Sequence, residues 1–176
     1  PLNRSALFAA DWIVTPLAPD LFSLRGLTNL GPTVRKWRTE WTHCRMKAAE
    51  EGVDLELPLG DMRPAGYVVL QHSVRFDRPT RAYDKWIAKI PGTYHSDVLD
   101  ERDGGAGLTV ESDPYKLALL KHYRTLMALA HEARKPIFHL TAADGATGAH
   151  SKAARDATMD FDALAVAIAK RIAFPL

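Results

Sequence analysis

Short apolar runs alternate with longer stretches of helical periodicity along the chain. The runs 12–17 (WIVTPL), 65–71 (AGYVVLQ) and 136–140 (PIFHL) are compact and mostly apolar, which predicts buried strands. Between them, apolar residues recur at three- and four-residue steps, the spacing of one helix face. Alternation of strands and helices predicts an α/β fold with a mostly parallel sheet.

The longest helical pattern follows the first predicted strand. Its apolar positions share one helix face and are Leu21, Leu24, Leu27, Leu30, Val34, Trp37, Trp41 and Cys44. Gly31-Pro32 should kink or split this helix, because proline lacks the N–H that a helix interior uses. The helix is predicted to end near Gly52. Since Cys44 falls on the apolar face, we expect it to be a small buried hydrophobe.

Four shorter helices are predicted from start and stop signals. They cover residues 3–9, 79 to about 90, 113 to about 134, and the stretch after loop 141–148, whose apolar face is Ala157, Phe161, Leu164, Ile168 and Ile172. The polar, glycine-rich stretch 100–108 is predicted to be a flexible surface loop.

Composition supports one globular domain over residues 1–176, because 47% of the residues are hydrophobic and 25% are charged. No apolar run is long enough to span a bilayer. A single cysteine excludes an internal disulfide and suits a reducing compartment. With 23 basic and 21 acidic residues, the charge is too balanced to indicate nucleic-acid binding by itself.

Four blocks of the sequence, taken in order, resemble the ParA/MinD-like P-loop ATPases. They are 6–27, with Ala9-Ala10-Asp11, the strand to Pro16 and Ser23-Leu24-Arg25-Gly26-Leu27; 31–38 (GPTVRKWR); 63–72 (RPAGYVVLQH); and 134–140 (RKPIFHL). The resemblance implies a three-layer P-loop NTPase fold of the SIMIBI type, with a deviant Walker A loop. It also implies a role in chromosome or plasmid partitioning, or in the positioning of another cargo.

The resemblance further implies ligands and partners. They would be ATP and Mg²⁺ in the complete protein, a second copy in an ATP-dependent homodimer, DNA bound without sequence preference, and a ParB-like or cargo adaptor protein. The expected location is the bacterial cytoplasm, associated with the nucleoid.

The phosphate-binding loop of that family is missing from these 176 residues. Its pattern, G-x-x-x-x-G-K-[ST], cradles phosphates with backbone N–H groups and holds Mg²⁺ with a hydroxyl. Neither Gly104-Gly-Ala-Gly107 nor Gly145-Ala-Thr-Gly148 is followed by lysine. We therefore expect the carboxyl-terminal part of such an ATPase, inactive in hydrolysis alone and without a tightly bound cofactor.

Gln71 and His72 close the predicted strand 65–71. Ligands of open α/β sheets bind outside the carboxyl ends of the strands. The resemblance places the nucleotide base there, and the Gln71 amide can donate to and accept from an adenine edge. Alternatively, this polar pair ties down the loop that follows. Loop 141–148 has the same two interpretations, as a nucleotide-facing or dimer-facing loop or as a capping turn that uses Asp144 or Thr147.

Basic residues crowd the long predicted helix. At about 100° per residue, Arg35, Arg38 and Arg45 fall within roughly one quadrant. With the resemblance, this predicts contact with DNA phosphates, which require only positive charge within reach. The alternative is a solvated helix face. Further candidates for the same role are Lys36, Lys47, Lys116, Lys121, Arg124, Lys170 and Arg171.

The seven histidines do not form a metal-binding pattern. His122 and His131 share one predicted helix but lie nine residues apart, on different faces. A second function therefore stays open beside the ATPase. It is a non-catalytic α/β interaction module that binds a protein partner and no nucleotide.

Overall fold

The computed structural model describes residues 2–72, 74–75, 78–79 and 81–175, with the backbone alone at residue 2 and within 71–83. The elements in chain order are α1 (Leu2–Phe8), β1 (Trp12–Leu17), α2 (Leu21–Glu50), β2 (Arg63–His72), β3 (Val74–Arg75), β4 (Arg78–Pro79), α3 (Arg81–Ile87), α4 (Ile90–Thr93), a π-helical segment (Tyr94–Val98), β5 (Lys116–Lys121), α5 (Thr125–Ala133), two 3₁₀ turns (Ile137–His139 and Ala142–Asp144) and α6 (Ala149–Arg171).

Three strands form a parallel sheet in the order β1-β2-β5. β1 pairs with residues 63–69 of β2, and β5 pairs with residues 67–72 on the other side of β2. β2 is therefore the central strand and is apolar on both faces, as expected where a parallel sheet is covered on both sides. The predicted α/β fold with a parallel sheet is confirmed.

Successive side chains of the strands point to opposite faces of the sheet, and each face packs against different helices. Tyr67 and Val69 of β2 belong to one core cluster with Leu24 and Leu27 of α2. Side chains of neighbouring strand positions point to opposite faces. Accordingly, Leu70 lies on the other face, beside Phe161 of α6. The sheet thus lies between α2 with the π-helical segment on one side and α6 on the other.

α2 is one continuous helix of 30 residues, so Pro32 does not split it. It begins at Asp20, whose carboxylate accepts from the Ser23 N–H at 2.7 Å. Gly31 sets the contact of α2 with the π-helical segment. A Cβ atom at this position would lie 1.7 Å from the Asp97 carbonyl oxygen. Only glycine admits this backbone-to-backbone approach.

The predicted helix 113–134 is wrong over its first half. Residues 116–121 form strand β5, and helix begins only at Thr125. A short apolar run such as LALL fits a buried strand or a buried helix equally, and pairing with β2 decides the outcome. His122 consequently precedes α5 while His131 lies within it, so the two histidines do not share a helix.

The predicted strand 136–140 is also wrong. Residues 137–139 form a 3₁₀ turn, because Ile137 and Phe138 pack against the cluster of α5 and α6 instead of pairing in the sheet. Helix 79–90 is displaced in a similar way. Pro79 pairs with Val74 in the β3–β4 ribbon. Helical structure then runs from Arg81 to Ile87 and resumes from Ile90 to Val98.

Cys44 is exposed, which contradicts its predicted burial. In the second half of α2 the apolar stripe contacts α1, where Trp41 stacks on Phe8 at 4.8 Å, and Cys44, three residues later, is left exposed. The buried positions of α2 are confined to its first half and are Leu24, Leu27, Gly31 and Val34. Among the residues that the structure describes, no helix is long and apolar enough to cross a membrane, as predicted.

Candidate functional site

A mostly apolar slot of about 210 Å³ opens at the carboxyl ends of β2 and β5. We call it the edge slot; its lining residues are Leu70, Leu120, Lys121, His122, Tyr123, Met127, Ile137 and Phe161. Its walls come from both strands and from α5 and α6. This is the edge at which open α/β sheets bind ligands, and an apolar slot with a few polar groups is typical of small-molecule sites.

Polar groups converge on one side of the edge slot. Asp160 accepts from the Tyr123 hydroxyl at 2.8 Å and pairs with the Lys121 ammonium at 3.2 Å. Burial, followed by the hydrogen bond to Asp160, raises the pKa of the Tyr123 hydroxyl above its usual value. These contacts hold the Tyr123 ring in the wall, nearly parallel to that of Phe161 at 6.1 Å.

The backbone is strained where β5 leaves the edge slot. Arg124 has φ 46° and ψ −119°, a conformation that suits glycine and costs other residues about 1–3 kcal/mol. Its N–H donates to Nδ1 of His122 at 2.9 Å. Strain of this kind is concentrated at functional sites.

The predicted base-binding residues lie next to this slot in sequence. Gln71 and His72 are the last residues of β2 and follow Leu70 directly. Their side chains lie outside the described part of the chain. The strand end is thus located where the sequence predicts it, and the contact of Gln71 and His72 with a nucleotide stays a prediction.

Loop 141–148 contains a capped turn. Thr141 and Asp144 form a capping box around the 3₁₀ turn, and Lys135 bridges to Asp144 at 2.8 Å. The hydrogen bond from Lys135 is the main reason that the pKa of Asp144 falls to about 2. Asp144 thus caps a short turn. α6 itself begins after Gly148 without a side-chain cap.

The three arginines predicted to contact DNA share one side of α2, and that side faces the protein. Arg35 donates to the Asp97 carbonyl at 3.0 Å, and Arg38 donates to those of Asp61 and Met62. Arg45 reaches the Leu59 carbonyl at 3.4 Å. Each guanidinium therefore anchors a neighbouring segment, and DNA contact through the remaining N–H groups stays a prediction.

Replacing Arg38 with alanine should lower the free energy of unfolding by about 2 kcal/mol, because two partly buried carbonyls lose a charged donor. Urea denaturation measures the change. Lys36→Ala on the same helix is the control, since Lys36 is exposed and makes only a 3.8 Å ion pair with Glu40. It should cost less than about 0.5 kcal/mol. Equal losses from both substitutions would show that Arg38 anchors nothing.

A second polar cluster lies buried where the start of β5 meets the middle of β2. Asp113 accepts from the Tyr67 hydroxyl at 2.8 Å and from the Tyr115 N–H at 2.8 Å, and it lies 3.2 Å from His95 Nε2. Nδ1 of His95 lies 2.7 Å from Glu101. Burial is the main reason, before the bond to Asp113, that the pKa of Tyr67 is raised. The cluster joins β2, the π-helical segment and the start of β5.

A cleft of about 240 Å³ lies near this cluster, between the sheet and α2. Arg35, Arg38 and Glu101 supply its charged groups. The two arginines already bind backbone carbonyls, and Glu101 contacts His95. Since its polar groups hold the fold together, we consider this cleft a weaker ligand site than the edge slot.

Comparisons with known proteins do not assign the chain to a family. No family model matches it, and neither a curated protein nor a solved structure does. Within the described residues, no group of three or more His, Cys, Asp or Glu side chains is placed to hold a metal ion.

Proposed function

We propose that this chain is part of a ParA-type partition ATPase and forms the base-binding side of its nucleotide site. The observation that carries the proposal is the position of the edge slot, at the carboxyl ends of two parallel strands. Apolar side chains from both strands and from α6 offer flat contact to a planar base. We propose that the side-chain amide of Gln71, directly after Leu70, hydrogen-bonds to the edge of the adenine base.

In this proposal the phosphates and Mg²⁺ bind outside these 176 residues. Phosphoryl transfer depends on a phosphate cradle and a positioned metal ion, and the sequence has no P-loop pattern. The residues described here position the base and do no chemistry on the phosphates. ATP-dependent dimerisation, binding of a ParB-like adaptor and cargo segregation belong to the complete protein.

The DNA contact of the proposal is best assigned to cations that the fold leaves free. Arg124 and Lys170 are exposed, and their side chains form no hydrogen bond or ion pair with the described part of the chain. Of Arg35, Arg38 and Arg45, Arg45 is held least, by one long hydrogen bond. Charge reversal at Arg35 or Arg38 would disturb the fold as well as DNA binding, so Arg45→Glu is the cleaner test.

Binding of adenosine tests the base site separately from phosphate binding. Met127 lines the edge slot and is 40% exposed, so Met127→Glu should place a carboxylate in the slot at little cost in stability. We expect adenosine to bind the wild type and to bind Met127→Glu at least ~10-fold more weakly, about 1.4 kcal/mol. Isothermal titration calorimetry measures both affinities.

The matched control is Met159→Glu, which makes the same change at an exposed position of α6 outside the slot. It should bind adenosine like the wild type. Equal affinity of wild type and Met127→Glu would contradict the base site. Absence of any adenosine binding would favour the alternative, an interaction module without a nucleotide.

A further inference from the structure

The end of α2 and the segment after it enclose an open groove, lined by both apolar and polar groups. Residues 52–62, here named the return segment, run back along α2. The Val53 N–H donates to the Ala48 carbonyl at 2.9 Å, and Trp41 Nε1 donates to the Pro58 carbonyl at 2.9 Å. The terminal groove, about 340 Å³ in volume, is lined by Thr42, Arg45, Met46, Ala48, Ala49, Val53, Leu55 and Leu57.

Large apolar side chains are left open to solvent along this groove. Met46 is 58% exposed and Leu55 is 68% exposed, and both line the groove. Val53 adds a further exposed apolar surface. Single exposed apolar residues are ordinary, whereas a contiguous patch marks an interaction surface. The terminal groove is such a patch.

Three acidic residues are sequence neighbours of the lining residues Ala49, Val53, Leu55 and Leu57. Glu50, Asp54 and Glu56 are exposed, and their carboxylates form no hydrogen bond or ion pair with the described residues. Lys47 pairs with Glu51 at 3.7 Å, which leaves Arg45 in the lining against Glu50, Asp54 and Glu56. One positive charge and three negative charges give the surroundings of the groove, here called its rim, a net charge of −2.

We propose that the terminal groove docks a basic amphipathic helix of a partner protein. Apolar side chains at helical spacing would fill the groove, and lysines or arginines beside them would meet the acidic rim. The negative charge of the same rim disfavours two other binding partners. A second copy would bring two negative rims together across a two-fold axis, and anionic lipid headgroups would be repelled.

The probe is a fluorescently labelled synthetic Leu–Lys peptide of about five helical turns. Fluorescence anisotropy measures its affinity for the protein at low and at high salt. The double change Met46→Ser with Leu55→Ser removes apolar contact, and Asp54→Asn with Glu56→Gln removes rim charge. Each pair should weaken binding at least ~10-fold. Matched controls are Met159→Ser and the pair Glu132→Gln with Asp162→Asn, all at exposed positions elsewhere, which should bind like the wild type.

Either of two results would overturn the proposal. The first is unchanged affinity in both groove variants, and the second is an equal loss in the controls. Two further measurements identify a wrong occupant. Concentration-dependent dimers abolished by Leu55→Ser would point to a second copy, and flotation with phosphatidylcholine vesicles would point to a membrane. The charge variants alter no buried contact, so they keep the test valid if the serine variants fold poorly.

Discussion

Gly31→Ala should lower the free energy of unfolding by about 2 kcal/mol or more, although alanine is the better helix former. The added Cβ would lie 1.7 Å from the Asp97 carbonyl oxygen and 2.9 Å from the Val98 Cα. Because these are backbone atoms, the π-helical segment has to move away from α2. Overpacking of this kind costs about 1–3 kcal/mol and occasionally more. Guanidinium denaturation followed by circular dichroism measures the loss.

Gly26→Ala is the control for this substitution. Gly26 lies in the same helix, and a Cβ there meets no atom within 4 Å. Alanine should therefore stabilise the protein, by up to about 1 kcal/mol, through helix propensity alone. If the two substitutions had the same sign and size, α2 would not lie against the π-helical segment as described.

Asp113→Ala should be the most destabilising single substitution of a charged residue, with a loss of about 3–5 kcal/mol. The Asp113 side chain is fully buried. Its removal leaves the Tyr67 hydroxyl, the Tyr115 N–H and the His95 ring without their shared acceptor. Buried donors without acceptors are costly. The midpoint of urea unfolding gives the size of the effect.

Asp103→Ala provides the comparison, since Asp103 is an exposed aspartate in the neighbouring turn. It should change stability by no more than about 0.5 kcal/mol. A loss below about 1 kcal/mol in Asp113→Ala would mean that the buried cluster does not hold β2, the π-helical segment and β5 together.

The local pattern of apolar residues correctly predicted two strands of the sheet and the long helix. β1 (WIVTPL) is mostly apolar and the core of β2 (YVVL) is wholly apolar, and both are strands of the sheet. The three- and four-residue spacing of apolar residues correctly predicted that α2 is helical. Cys44 and Met46 were beyond such reasoning, because periodicity identifies an apolar face without saying how far the rest of the protein extends along it.

After residue 113 a helix is predicted but a strand is observed, and the cause is different. Asp113-Pro114 has the form of a helix start, yet the Asp113 carboxylate binds Tyr67 and Tyr115. The strand then forms because β2 offers a free edge for pairing. Both partners are distant in sequence, so no local pattern contains them.

The candidate site was predicted only in outline. The sequence predicts a ligand contact at Gln71, at the end of β2, and the edge slot contains the preceding residue, Leu70. The opposite wall, with Tyr123 and Phe161, depends on β5 pairing with β2 and was not foreseen. Likewise, charge alone marked Arg35 and Arg38 as exposed, whereas backbone carbonyls from distant segments bind both.

An NMR titration of the ¹⁵N-labelled chain with adenosine, and separately with inorganic tripolyphosphate, tests the central claim most directly. The account predicts that adenosine shifts the amide signals of Leu70, residues 120–123 and Phe161, which line the edge slot, and of Gln71 and His72, which follow Leu70. Tripolyphosphate should leave those signals unchanged. Adenosine shifts confined to the cleft at Arg35 and Glu101, or no shifts at saturating adenosine, would contradict the claim.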